Sequence, residues 1–181
     1  THFFASLTLF SGGMLTMVLA PNMVQFILGW EIMGLCSFLL IGHWWEEEAN
    51  ARAALKAFFT VRTGDMGLLV GTGVLLAIFG TLDISKINEG AAAPGSHPML
   101  AVAAVALFIA CIGKSGQFPL HTWLPDAMAG PTPVSSLLHS STMVVAGVFL
   151  VARLYPVFHT GLDINVAGHH FNLIAVIGGI T

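Results

Sequence analysis

The chain has 181 residues, of which 56% are hydrophobic and 8% charged, with a formal net charge of −3 and a mean hydropathy of +0.86. Water-soluble domains carry about a quarter charged residues, and a core of two packed layers could not hide this much apolar sequence, so the solvent is lipid. The few bases are scattered, which leaves no electrostatic footprint for nucleic acid.

A membrane span needs about 20 mainly apolar residues. The first is predicted from Phe3 to Ala20 and closes at Pro21-Asn22; the second runs from Met23 to Ile41, interrupted by Glu31, and closes at the polar loop His43 to Asn50. The third is predicted over about Ala53 to Phe79 and carries Lys56, Arg62 and Asp65 in its first half. Thr81 to Pro98, with its charges, small residues and prolines, reads as an aqueous loop. The fourth span, Met99 to Ser115, is followed by a broken, amphipathic continuation to Ala129. The fifth is predicted from Pro133 to about Tyr155, with Thr132 as N-cap and Pro133 at the first helical position. A second aqueous loop is expected from Pro156 to about His170, with an apolar run after it. The fold class is therefore all-α, a polytopic transmembrane bundle with a discontinuous helix. Both ends fall inside apolar runs, so the chain reads as a fragment of a longer protein.

Tryptophans favour the membrane interface, where Trp44, Trp45 and Trp123 are expected, whereas Trp30 lies mid-span and must pack inside the bundle. Cys36 and Cys111 sit in separate apolar runs and read as small buried hydrophobes. The eight histidines show no zinc spacing, and His169-His170 in a polar loop reads as solvated. Gly113-Lys114-Ser115 is not a phosphate loop, because the earlier glycine of that motif would fall at Phe108. There is no dinucleotide fingerprint, iron–sulfur cysteine run or haem motif, so any redox chemistry belongs to other chains.

Charges at the bilayer centre cost at least ~2.5 kcal/mol each, so they face a partner or a wet cavity. Glu31 is near mid-depth with no partner on its own helix. Arg62 and Asp65, three apart, share a helical face and are within reach of each other. Lys114 lies at the end of the fourth span, just before Gly116 and Pro119. Pro119 cannot donate to the Ser115 carbonyl, so the helix should stop there with free carbonyls beside the amine. The end of the helix dipole and burial act on that amine in opposite senses, which leaves a neighbouring carboxylate such as Glu31 to decide its charge. A lysine can exchange its proton in such a place; an arginine cannot. Snorkelling to the headgroups is the competing reading. Beyond the second break, Gly130-Pro131-Thr132-Pro133, His139 is placed about 9 Å into the fifth helix. Ser135, His139 and Thr142 form a polar stripe there, suited either to a proton relay or to interhelical hydrogen bonds.

These stretches are similar to a known family. GWEIMGLCSFLLIG (Gly29–Gly42), KAFFTVRTGD (Lys56–Asp65), GKSGQFPLHTWLPDAMAGPTPVSSLLHSSTMV (Gly113–Val144) and AGVFLVARLYP (Ala146–Pro156) resemble the antiporter-like, proton-translocating subunits of respiratory complex I, in the subunit L or chain 5 branch. The resemblance covers nearly the whole chain. It implies that residues 1–155 form most of the first of two inverted five-helix repeats, and that 156–181 are a loop and the start of the next. Glu31 would be the carboxylate that modulates the channel lysine, Lys114 that lysine, and His139 the continuation of the proton path. Arg62 and Asp65 match the family's charged pair, with Ser135 and Thr142 supporting and Gly116, Pro119, Pro131 and Pro133 breaking the helices. By the same resemblance the chain holds no cofactor of its own; NADH, flavin, iron–sulfur clusters and quinone belong to other subunits. Its partners would be other membrane-arm subunits, especially a neighbouring antiporter-like one, the lipid bilayer and protons, in an energy-transducing bacterial or organellar membrane. The core motifs also resemble the large subunits of multisubunit sodium/proton antiporters, which is the alternative function, and a structural subunit without an ion path is the third.

Overall fold

The computed structural model of the chain describes residues 2–93, 97–166 and 169–181, the side chains of 139, 140 and 164–171 excepted. Helix α1 (His2–Val18) packs along α2 (Met23–Ile41). Asn22 starts α2 as its N-cap, its side chain accepting the Gln25 N–H at 2.9 Å, and Gly42 ends it, so the predicted bounds of this span are met. Helix α3 (Glu48–Phe79) is 32 residues long. At about 48 Å it exceeds the ~30 Å hydrocarbon layer. Its first turns therefore lie outside the lipid core, where Glu48 and Arg52 make an exposed i,i+4 pair at 3.4 Å. That is why the helix starts five residues before the expected Ala53: those turns need no apolar sequence.

The loop expected over Thr81 to Pro98 contains α4 (Ile84–Ala92), capped by Asp83 and burying Ile84, Ile87 and Ala91. Backbone bonds Met23 N–H to Leu82 O (2.9 Å) and Ile84 N–H to Pro21 O (3.1 Å) tie its start to the α1–α2 turn. Helix α5 (Leu100–Ser115) spans 16 residues, about 24 Å, so it ends short of a full bilayer crossing. It is pressed against α3 through small residues: a Cβ on Gly67 would run into the Ala106 carbonyl oxygen, and one on Gly64 would stand 3.0 Å from the Gly113 Cα. Small residues of this kind let membrane helices approach backbone to backbone.

After α5 come a short helix α6 (Trp123–Asp126), one 3₁₀ turn (Ala127–Ala129) and α7 (Thr132–Ser135). Thr132 is the first residue of α7 rather than its cap, which is Pro131. The chain then widens into π-helical turns (Ser136–Thr142) before α8 (Met143–Arg153). The second expected aqueous loop is largely ordered: α9 (Tyr155–Gly161) buries Val157 and Phe158, and a short antiparallel ribbon, β1 (Asp163–Val166) with β2 (His169–Asn172), leads to α10 (Leu173–Ile180). Residues 94–96 of the first loop, and the side chains of His169 and His170, lie outside the described residues.

By length and apolar composition α2, α3 and the composite rod Thr132–Arg153 can each cross a membrane, while α1 and α5 are shorter apolar helices. Leu9, Leu15, Val24, Leu28, Phe59, Met66 and Val70 point outward from the bundle. In water such a surface would aggregate; in lipid it is the expected outer coat of a multi-pass helical membrane protein.

Candidate functional site

The end of α5 is fixed by Gly116, which adopts the left-handed conformation (φ +59°) and donates to the Ile112 carbonyl. Gln117 N–H bonds the same carbonyl at 3.0 Å, and the Trp123 indole donates to the Gly113 carbonyl at 3.0 Å. Trp123, expected at the lipid interface, is thus fully buried inside the break. It takes up one of the helix-end carbonyls that the sequence left open.

One residue before that end, Lys114 is 0% exposed. A snorkelling lysine would have its nitrogen at the surface, so that reading is set aside. The Lys114 Nζ lies 3.8 Å from Asp65 Oδ2 on α3 and 5.3 Å from the centre of the Trp30 ring on α2. It stands in ion-pair range of the carboxylate without a hydrogen bond to it. Room for it comes from Gly34, where a Cβ would fall 2.9 Å from Nζ. Replacing Gly34 by alanine is expected to displace the amine and to destabilise the bundle by about 1–3 kcal/mol. Thermal inactivation of the assembled, detergent-solubilised protein reads that loss, and an unchanged midpoint would mean that the amine sits elsewhere.

Glu31, Arg62, Asp65 and Lys114 are brought to one level of the bundle, but with crossed partners. Arg62 Nη1 donates to Glu31 Oε2, and Asp65, not Glu31, is the carboxylate nearest Lys114. Arg62 and Asp65 share a face of α3 as expected, yet each reaches to another helix. The cause is azimuth. Glu31 follows Trp30 on α2, so the two side chains diverge: Trp30 points to the buried side, where its Nε1–H donates to Asp65 Oδ1 at 2.6 Å. Glu31 points to the rim, where its side chain is 25% and that of Arg62 39% exposed. Long Arg62 can reach the rim; short Asp65 stays inside. Trp30 and Gly34 are the site residues that the sequence reading did not assign. Their signal was present in a tryptophan buried mid-span beside a charge, and a glycine one helical turn after it.

At the second break, the π-helical turns alter the phase on which the Ser135, His139, Thr142 stripe was drawn. Met143 N–H reaches back to the Leu138 carbonyl and the Thr142 hydroxyl donates to the Leu137 carbonyl at 2.6 Å, both five residues back. Wide turns of this kind recur at functional sites. His139 lies within them, and its side chain is outside the described residues. Away from the buried site, Lys56 on α3 meets Asp126 on α6 at 2.6 Å, both about half exposed, and pins the broken segment to the polar end of α3. Cys36 and Cys111 are free and buried. Among the described residues no group of three or more His, Cys, Asp or Glu is placed to hold a metal ion.

A family model described as NADH:quinone oxidoreductase/Mrp antiporter, TM, matches residues 20–181. The chain is 51% identical to NAD(P)H-quinone oxidoreductase chain 5 of Synechocystis sp., over 87% of this chain and 24% of that protein. It is 46% identical to the chloroplastic NAD(P)H-quinone oxidoreductase subunit 5 of Zygnema circumcarinatum, over 99% of this chain and 26% of the relative. Among solved structures, a chain of the Mrp complex from Dietzia sp. superimposes with a TM-score of 0.80 at 33% identity, covering 90% of this chain and 18% of that one. The sequence in hand thus spans about a quarter of the length of the relatives it matches. With 162 of its residues inside the family model and these relatives well above 30% identity, the chain belongs to the NADH:quinone oxidoreductase/Mrp antiporter transmembrane family.

Proposed function

We propose that this chain is part of a proton-translocating membrane-arm subunit of an NAD(P)H:quinone oxidoreductase in an energy-transducing membrane. The observation that carries the reading is the amine of Lys114, fully buried at a helix break and held near Asp65 without a hydrogen bond to it. A carboxylate in ion-pair range favours the ammonium, and movement of that carboxylate removes the support. Lys114 is the group that takes and gives the proton. Asp65 is its buried partner, and the Glu31–Arg62 pair on the rim is the element that a shift in the membrane arm would open or close. Opening it exposes Lys114 to the charge of Arg62, and the proton passes toward His139. The helix breaks at Gly116–Pro119 and Pro131–Pro133 support this reading, because ion-coupled transporters build their midplane sites on interrupted helices.

In this reading residues 1–155 are most of one antiporter-like repeat and 156–181 lead into the next. Electron transfer, with its flavin, iron–sulfur clusters and quinone, takes place on other subunits. The partners are membrane-arm subunits, a neighbouring antiporter-like subunit among them. The likeness to the Mrp complex supports a second reading, an antiporter subunit driven by the ion gradient alone.

Purification of the complete complex from its own membrane separates the two. The oxidoreductase reading expects flavin and iron–sulfur chains to copurify and NAD(P)H oxidation to acidify proteoliposomes in sodium-free buffer. Sodium-driven proton exchange without an electron donor, and no copurifying redox chains, would establish the antiporter instead.

A further inference from the structure

Trp30 is fully buried and touches both members of the buried ion pair. Its Nε1–H donates to Asp65 Oδ1 at 2.6 Å, while its ring face looks onto Lys114 Nζ from 5.3 Å. For packing alone, an indole in an apolar core needs its N–H on any acceptor, and a backbone carbonyl serves, as Gly113 serves Trp123. Trp30 instead occupies one oxygen of a carboxylate whose other oxygen faces a lysine. The bond is short, as expected when the acceptor is charged. The remaining gap, 3.8 Å from Oδ2 to Nζ, is too wide for a hydrogen bond. The amine itself fills the space that a Cβ on Gly34 would take, 2.9 Å from that position.

We infer that Trp30 is a positioning residue that sets the separation of Lys114 and Asp65. Its N–H anchors the carboxylate short of contact, and its ring face offers the ammonium a second, non-bonded partner. A lysine clamped by a direct charge-assisted hydrogen bond would release its proton reluctantly, whereas one held at ion-pair distance can exchange it. This rests on the proton-path reading above, because a structural ion pair would gain nothing from being kept loose. Glu31 and Arg62, the other charges near this pair, are engaged with each other and do not supply the anchor.

Trp30→Phe keeps an aromatic face and removes the donor. In the assembled complex Asp65 is expected to close on Lys114, shortening the 3.8 Å separation to hydrogen-bond length, about 2.8 Å. The carboxylate stretch assigned to Asp65 by difference from Asp65→Asn should shift, and donor-driven proton translocation should fall about tenfold, the usual weight of a hydrogen bond to a charged group. Trp30→His returns a ring N–H and is expected to recover part of the rate and of the infrared band. Ring-fluorinated tryptophan, which keeps shape and donor, guards against a folding defect and should leave the Asp65 band in place. An unmoved separation and band in Trp30→Phe, or no recovery with histidine, would overturn the inference. The proton-path reading fails separately: normal translocation by Lys114→Met would remove it while leaving the infrared result to stand or fall alone.

Discussion

Exchanging Lys114 for arginine is expected to stop proton translocation in a complex that still assembles. Arginine keeps a positive charge beside Asp65, so the buried carboxylate remains compensated and the bundle keeps its pairing. What is lost is exchange, because a guanidinium does not give up its proton in a protein. Proton transfer by a positioned side chain contributes about 10²–10⁴-fold to a rate, so translocation driven by the electron donor should drop at least ~100-fold. Lys114→Met gives the complementary test. It leaves Asp65 buried without a cation, a change that costs about 3–5 kcal/mol and lowers the yield of assembled complex. Adding Asp65→Asn should restore assembly and not translocation. Acidification of proteoliposomes on donor addition reads all three variants, and normal acidification by the arginine variant would end the assignment of Lys114 as the exchanging group.

What could be read from the residues alone was set by cost. Glu31, Arg62, Asp65 and Lys114 stood out because each is a charge on sequence otherwise fit for hydrocarbon, and the structure gathers all four at one level. The end of α5 was legible because Gly116 and Pro119 act within a few residues of where they stand. The bounds of α2 were legible because an asparagine and a glycine punctuate an apolar run whose one charge is Glu31. The partners of the four charges were not legible. Pairing depends on how α2 and α3 are rotated about their axes, and Arg62 and Asp65 at i,i+3 satisfy a self-pair and a crossed pair equally well. The turns of α3 before Ala53 were missed because an apolar criterion ignores helix that lies in water, and α9 because its seven residues are too few to show a period. The π-helical turns over Ser136–Thr142 left no mark either; that segment holds no proline or glycine to signal a widened turn. Trp123 was assigned to the interface by a rule for continuous helices, and a broken helix gives its indole a carbonyl to bind inside.

The crossed pairing makes Glu31 and Asp65 unequal, and neutralising each should give different losses. Asp65 and Lys114 side chains are 3% and 0% exposed, so Asp65→Asn strands a buried amine and is expected to destabilise the complex by about 3–5 kcal/mol. Glu31→Gln breaks a pair at the rim, where exposure limits the stability cost to no more than ~1 kcal/mol. Its effect on function runs through Arg62. With Glu31 neutral, the guanidinium charge is no longer offset by its own partner, and like charges disfavour each other. Donor-driven translocation should fall about tenfold, the factor to which ~1.4 kcal/mol of lost interaction corresponds. Removing the guanidinium as well, in Glu31→Gln with Arg62→Gln, should then recover most of the rate. If Glu31 were the direct partner of Lys114, the second substitution would bring no recovery, and Asp65→Asn would melt close to the parent complex. Thermal inactivation of the single variants and proton translocation by the double variant therefore decide between the two pairings, because only the crossed one makes a second charge removal beneficial.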